Sequence, residues 1–293
     1  MRFAFIAVEK AHHSVAQLCR CLRVTRSGFY ASHRRPESAR RQVDRRLRVR
    51  IRASFDASRR TYGSPRVHRD LLEEDERVSR KRVVRLMQEE GLRARPRKRF
   101  KLTTISDPDQ PVADNVLNRQ FTADRPNQRW VGDTTELVIG DTGKLYLAAI
   151  LDLFSRFCVG WAVSAVNDRH LTLHALERAL KRRGPEAGLL HHSDRGSTYA
   201  SEDYQDVLEG HGLTCSMSRT GDCYDNAVME AFFSTVKTEL ADRFESCGDA
   251  KMQLFDYIEV FYNQKRRHST VGYSSPAEYE RRYAGTHRAP ASA

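Results

Sequence analysis

Three carboxylates, Asp133, Asp194 and Glu230, sit where a carboxylate needs a reason to be. Asp133 falls in a stretch, 130–139, whose alternation puts Val131, Asp133, Thr135, Leu137 and Ile139 on one side. An ionised group on an apolar strand face is costly unless it is paired or holds a metal. Asp194 follows a short apolar run, 189–192, at the carboxyl end of a candidate strand, where α/β sheets place their ligands. Glu230 belongs to an amphipathic helix over 222–240, with Met229, Phe232, Phe233, Val236 and Leu240 on its apolar face and Asp225 as the expected N-cap. At about 100° per residue, Asn226, Glu230 and Lys237 lie within ~40° of one another on the rim of that face. Oxygen-rich, imidazole-poor donor sets suit hard divalent cations, Mg²⁺ or Mn²⁺, so the three carboxylates are the candidate metal ligands as well as the candidate catalytic residues. Two such ions about 3.5–4 Å apart clamp the attacking and leaving oxygens at a phosphate.

Each residue also has a bland reading. Asp133 could be a strand-end salt bridge, Asp194 a turn former before Gly196, and Glu230 a solvated flank. Asp152, also in a strand, competes with Asp133 as first ligand, and His192 could be a ligand, a packing group or a phosphate contact.

The elements that must position these groups follow a definite order. Three antiparallel strands are predicted at 130–139, 144–153 and 156–164, the first two joined by a hairpin turn at Asp141-Thr142-Gly143. A helix over 168–183 ends at Gly184-Pro185. Then come a strand at 189–192, a helix near 201–209, a strand at 213–217 and the helix bearing Glu230. That order is the order of a ribonuclease-H-like α/β core, a sheet with helices on both faces.

The front of the chain is helical. Residues 14–30 read as helix, tight turn, helix, and 34–52 as a basic helix with Val43, Leu47 and Ile51 along a narrow seam. Pro65 opens a further helix and Ser79 caps the next. In that last helix Val83, Val84 and Met87 are expected to pack inward while Arg82 and Arg85 project outward, as a DNA-recognition helix requires; Arg80 and Lys81 extend its basic surface. A dense basic run at 93–99 and a proline-containing stretch without period over 103–125 mark a boundary. The expected organisation is a basic helical region at 1–100, a linker at 101–125, the catalytic core at 126–245 and a C-terminal helical extension at 246–293.

Charge separates the halves. Of 293 residues, 1–120 carry 30 Lys and Arg against 14 Asp and Glu, and the remainder carries 20 against 24. A basic front and a slightly acidic back point to nucleic acid as partner of the front. The six cysteines form no CxxC pair and no zinc spacing, which suits a reducing cytosol; His12 and His13 near Cys19 and Cys21 are misplaced for a zinc site. The apolar start, 3–8, is too short for a signal peptide or a membrane span, so a cytoplasmic protein with no membrane partner is expected.

Trp130-Val131-Gly132-Asp133-Thr134-Thr135-Glu136-Leu137, His192-Ser193-Asp194-Arg195-Gly196-Ser197 with Tyr199-Ala200-Ser201, and Cys223-Tyr224-Asp225-Asn226-Ala227 through Glu230 resemble the signature of insertion-sequence transposases. Thirty-five residues separate Asp194 from Glu230, similar to the DD(35)E spacing of transposases and retroviral integrases, and Lys237 matches that group's basic residue on the catalytic helix. Tyr262-Asn263, Arg266-Arg267-His268-Ser269, Gly272-Tyr273 and Ser275-Pro276 resemble its C-terminal signature, and Tyr62-Gly63-Ser64 with Val78-Ser79-Arg80 extend the likeness to the front half. More closely, the chain resembles the second-reading-frame catalytic protein of the IS-three class. The resemblance implies metal-dependent cleavage at the element's ends, using two Mg²⁺ or Mn²⁺ ions, and attack of the freed 3′-hydroxyl on a second phosphodiester. It implies double-stranded DNA as partner, both element ends and target, with a first-reading-frame protein as a second partner and at least a homodimer on DNA. Arg80, Lys81, Arg82, Arg85, Asn226, Lys237, Arg266 and Arg267 are the DNA contacts it suggests. Two rivals differ in what they need. A hybrid-cutting nuclease of the same fold has no use for the basic front, and a non-catalytic DNA-binding regulator has none for three carboxylates.

Overall fold

A computed structural model describes residues 2–34, 37–95, 113–141, 143–219, 223–240 and 243–287. The predicted hairpin residue Thr142, the helix start at Gly221-Asp222, and residues 96–112 of the basic run and linker lie outside the described residues.

Six helices come first: α1 (Arg2–Glu9), α2 (Val15–Cys21), α3 (Arg26–Arg34), α4 (Ala39–Ala57), α5 (Ser64–Glu73) and α6 (Arg80–Glu89). Their starts follow the capping rules, with Ser14, Ser38 and Ser79 each accepting a backbone N–H three residues on. The helices fall into two groups. Ile6, Leu18, Cys19 and Phe29 close a small core among α1–α3. Leu47, Ile51 and Phe55 of α4, Val67 and Leu71 of α5, and Val83, Leu86 and Met87 of α6 instead join the main core beneath the sheet.

The sheet contains β1 (Arg129–Ile139), β2 (Gly143–Asp152), β3 (Cys158–Ser164), β4 (Leu190–Ser193), β5 (Thr214–Met217) and β6 (Arg243–Phe244). Its order is β3-β2-β1-β4-β5, with β6 pairing β1. The β1–β2 and β2–β3 pairs are antiparallel, while β1–β4 and β4–β5 are parallel. The predicted strands agree with this apart from β6, a two-residue strand with no period to read.

Helices cover both faces. Trp130, Ala148 and Ile150 pack against α7 (Arg169–Arg183) and α8 (Glu202–Gly210) through Leu171, Ala175, Leu176, Tyr204 and Leu208. α7 is capped by Asp168 and ends at Gly184 in the left-handed region. It approaches β3 so closely that a Cβ on Gly160 would stand 2.2 Å from the Ala175 carbonyl oxygen, so any side chain there would push helix and sheet apart. Against the other face lie α9 (Ala227–Glu239), α10 (Cys247–Phe255) and the π-helical stretch Asp256–Tyr262 that continues it; α11 (Pro276–Thr286) closes the chain. Met229, Phe232, Phe233 and Val236, the apolar stripe of the helix bearing Glu230, are all buried there with Val131 and Leu137 of β1.

The described part of the proline-containing stretch, 113–125, is docked. Leu117 is buried, and the N–H groups of Val116 and Leu117 donate to Ser216 Oγ at 3.0 and 3.1 Å. The C-terminal motif works as a clasp. Asn263 accepts from Cys158 N at 2.9 Å and donates to Cys158 O at 3.1 Å, and Tyr62 Oη accepts from Arg267 N at 2.8 Å.

Candidate active site

β1 and β4 run parallel, and their register ends at Val131 opposite His192. Two residues further along each chain come Asp133, on the Val131 side of β1, and Asp194, just past the end of β4. Beyond this point β4 stops at Ser193, and β1 regains a parallel neighbour only at Val138, against β6. The aspartates therefore face each other across a break in the sheet, at the carboxyl end of β4.

Both are fixed by local hydrogen bonds. Asp133 Oδ1 accepts from Thr134 N at 2.7 Å, and Asp194 Oδ1 accepts from Gly196 N at 3.0 Å. Burial pushes the Asp133 carboxyl well above the usual carboxylate range, and the facing charge of Asp194 pushes it further. Glu230 adds to the rise, while Thr134 N–H and Lys237 oppose it. Asp194 is raised chiefly by burial. Glu230, in the first turn of α9, is only partly exposed and is raised by burial as well.

The three predicted carboxylates thus occupy one neighbourhood, with Asp133 sensing the other two and Lys237. They are not equally close. Among the described residues no three carboxylates, imidazoles or thiols are gathered tightly enough to ligate one ion. The convergence of all three expected from the sequence is not formed among the described residues: the charge of Asp194 acts on Asp133 more strongly than that of Glu230 does, and like charge opposes a closer approach of the three.

The competing candidates resolve. Asp152 pairs across from Trp130, three residues along β1 from Asp133, and is fully buried. Its oxygens accept from Asn127 N at 2.8 Å and Phe154 N at 2.9 Å, and burial lifts it to about 6, so it anchors the turns rather than the chemistry. His192 is buried between Ser216 Oγ at 2.9 Å and Ser218 Oγ at 3.1 Å. With both ring nitrogens engaged and its pKa lowered to about 4 by burial, it is a neutral packing group.

Asp225 does not serve as an N-cap. The chain enters α9 through a 3₁₀ turn, Cys223–Asn226, and Asp225 is fully buried. It accepts from Arg219 at 2.8 and 2.9 Å, Arg119 at 3.0 Å and Asn115 at 2.7 Å. Those donors hold its carboxyl far below the usual range. A depressed native pKa stabilises at all pH values above the unfolded pKa, and the contribution is lost as pH falls through the native one. Asp225→Asn is therefore expected to lower the melting temperature at neutral pH and to flatten its decline on acidification; an unchanged acid limb in a melting series would contradict this role. Of the partners of Asp225, Arg219 is only six residues away, whereas Arg119 lies 106 residues away and gives no local signal in the sequence.

Asn226 lies at the start of α9, buried, with Nδ2 3.4 Å from Gly132 O, beside Asp133. Tyr199, given no role in the sequence reading, is buried with its hydroxyl 3.3 Å from Thr134 Oγ1 and within charge range of Asp133 and Asp194.

Four of the predicted DNA contacts are engaged inside the protein. Arg82 Nε and Arg85 Nη2 bind the two oxygens of Asp44 at 2.7 and 2.8 Å, because a nearly buried carboxylate on α4 needs cationic partners. Arg266 is 4% exposed and grips Glu239 of α9 through Nη2 at 2.6 Å and Nε at 2.7 Å. Arg267 pairs with Asp70 and, at 2.6 Å, with Glu73, tying α5 to the C-terminal segment. Arg80 and Lys81 are exposed on α6.

Paired aspartates at a sheet break, a carboxylate-bearing helix packed beneath them and a helical front define an integrase-core protein joined to a helix-turn-helix-like unit. Comparison with known families agrees. The family described as "Integrase core domain" matches residues 123–223, a second of that description matches 211–276, and "HTH-like domain" matches 42–100, the span of α4–α6. Among relatives, the chain is 42% identical over 268 residues to the insertion element IS600 uncharacterized 31 kDa protein of Shigella sonnei, covering 91% of this chain and 98% of that one. It is 38% identical over 284 residues to the transposase InsF for insertion sequence IS3A of Escherichia coli K12, covering 96% and 98%. Among solved structures, the HTLV-2 integrase catalytic core domain in complex with magnesium matches with a TM-score of 0.41 at 17% identity, over 54% of this chain and 99% of that one. The chain belongs to the IS3 class of insertion-sequence transposases. It is accordingly a DDE-type polynucleotidyl transferase of insertion-sequence transposition.

Proposed function

We propose that Asp133, Asp194 and Glu230 form the catalytic centre, and that it cuts and joins DNA at the ends of an insertion sequence. The facing aspartate pair carries this reading: two partly buried carboxylates meet at a break in the sheet, where the charge of Asp194 opposes ionisation of Asp133, a repulsion that a hard dication would relieve. The donor set, oxygen only and anionic, fits Mg²⁺ or Mn²⁺, with Glu230 as the third donor from α9. Bound there, two such ions would activate the attacking hydroxyl and stabilise the departing oxyanion.

The protein's own groups do the rest. Thr134 N–H and Gly196 N–H each hold one oxygen of an aspartate. Asn226 ties the start of α9 to β1 and so sets the height of Glu230 above the aspartates. Lys237, two turns further along α9, is placed to neutralise a phosphate beside Asp133. The exposed Arg80 and Lys81 of α6 are the remaining candidates for duplex contact. Double-stranded DNA at both element ends and target, a homo-oligomer to hold two ends, and a first-reading-frame partner complete the proposed assembly. The division into 1–100, 101–125, 126–245 and 246–293 is proposed likewise, although α4–α6 share the core of the catalytic unit. No helix among the described residues is long and apolar enough to cross a membrane.

Glu230→Gln is expected to bind duplex as the wild type does and to lose strand cleavage with Mg²⁺. Lost binding with cleavage retained would refute the assignment. Affinity of the wild type for duplex should fall steeply with salt, since each neutralised phosphate contributes a slope of about −0.9 in log K against log salt. A flat response would argue against phosphate contacts altogether and favour a nuclease that grips its substrate otherwise.

A further inference from the structure

Where α5, the catalytic helix α9 and the C-terminal clasp meet, a cavity of about 90 Å³ opens among Thr61, Arg66, Arg95, Thr235, Thr238, Glu239 and Arg266. Its charges do not balance: three guanidiniums face one carboxylate. That carboxylate is already taken. Glu239 receives Arg266 through two nitrogens and the Tyr257 hydroxyl at 2.8 Å. Arg66 reaches Glu239 only at 3.6 Å, and burial together with the like charge of Arg266 works against its protonated form. Arg95 is exposed and lies on the open side.

The hydroxyls of the cavity differ in the same sense. Thr235 is committed to Ala231 O at 2.7 Å, whereas Thr238 is 9% exposed and its Oγ1 is buried without a hydrogen-bond partner. Surplus positive charge beside an unsatisfied buried hydroxyl defines what the cavity lacks, an anion that accepts several hydrogen bonds. A cation would meet repulsion, and a neutral guest would leave the guanidiniums unmatched. With Arg266 committed to Glu239 and the Thr61 hydroxyl to Ser58 O at 2.7 Å, the remaining donors, Arg66, Arg95 and Thr238, arrive from three separate chain segments and suit a tetrahedral acceptor better than a planar one.

We propose that this cavity binds a phosphate-type oxyanion, held by Arg66, Arg95 and the Thr238 hydroxyl. Glu239 lies nine residues beyond Glu230, about half a turn round α9, so an anion here braces the catalytic helix from behind and fastens it to α5. The anion could be a free phosphate or a phosphate of the DNA backbone; the second source rests on the proposed function above.

The test uses the full chain, melted in sodium phosphate, sulfate, acetate and chloride at one ionic strength. Phosphate and sulfate should raise the wild-type midpoint saturably above chloride, and acetate should not. Arg66→Gln and Thr238→Val, each checked for a cooperative melt in chloride, should lose that gain. Equal midpoints in all four salts, acetate matching phosphate, or the full gain retained in both variants would overturn the site. A second arm measures duplex affinity against salt. A slope shallower by about 0.9 in Arg66→Gln assigns the anion to the DNA backbone. An unchanged slope, with the phosphate response intact in the wild type, assigns it to a free anion. The phosphate response requires no strand cleavage, so it stands or falls apart from the catalytic reading.

Discussion

Asp133→Asn is expected to reduce strand cleavage and joining by at least about 10³-fold, and at the same time to raise the melting temperature of the protein in chelator. Both effects have one cause. The pair of partly buried aspartates is unfavourable in the folded chain without a dication, because desolvation disfavours both ionised forms and the charge of Asp194 disfavours that of Asp133 further. Replacing one member by its neutral isostere removes that repulsion, which at this chain length raises the midpoint by a few degrees. It also removes a ligand for an ion whose stabilisation of transition-state charge amounts to several kcal/mol, and each 1.36 kcal/mol is tenfold in rate. The pH dependence has a definite sign. A carboxyl raised in the folded state holds its proton to higher pH than it does in the unfolded chain. Stability in chelator should therefore fall as pH rises through the native values, and the pair ceases to cost stability below the unfolded aspartate range. With Mg²⁺ present the trend should reverse, since the ion needs the ionised pair. Melting curves at three pH values, with chelator and with Mg²⁺, check this alongside a strand-joining assay. A variant that melts lower than the wild type in chelator, or that still joins strands, would dismiss the pair as the catalytic centre.

What could be read in the sequence was what depends on local pattern. Asp133 announced itself because strand parity placed a charge among Val131, Leu137 and Ile139, and the parallel β1–β4 pairing, which ends at Val131 and His192, brings the chain entering Asp194 alongside it. The apolar stripe of α9 was legible from its period: Met229, Phe232, Phe233 and Val236 are buried, while Leu240, just past the helix end, is only partly buried against the same core. What could not be read was which carboxylate a guanidinium would find. Arg267 meets Glu73 across 194 residues of sequence, and Arg82 meets Asp44 across 38. A basic cluster such as Arg266-Arg267 looks like a DNA-binding patch until the acids that neutralise it are known. Asp225 misled in part for the same reason, because a carboxylate before a helix resembles a cap when the distant Arg119 is out of view and nothing in the sequence says that the nearby Arg219 folds back onto it. Arg80 and Lys81, by contrast, stay exposed on α6.

Arg266→Ala separates a structural guanidinium from a DNA contact by where the loss appears. The side chain is enclosed against Glu239, and its charge is held on so firmly that its pKa moves above the ordinary arginine value despite burial. Removing it leaves Glu239 buried, with Arg66 at 3.6 Å as its nearest remaining cation. Breaking one side of a buried ion pair costs about 3–5 kcal/mol, so the variant should unfold at markedly lower denaturant than the wild type. Adding Glu239→Gln should recover part of that loss, because the uncompensated charge, rather than the missing attraction, is the main penalty. The cost should reach catalysis only through α9: Glu239 closes the helix that Glu230 opens, and loosening its end lets the carboxylate drift from the aspartate pair. A DNA-contact role predicts the opposite pattern, with weaker duplex binding, an unchanged unfolding midpoint and no rescue by the second substitution. Urea titrations of the wild type, the two single variants and the double variant decide between the two, since only the buried-pair reading gives a coupling energy of the same sign and similar size in stability as in strand joining.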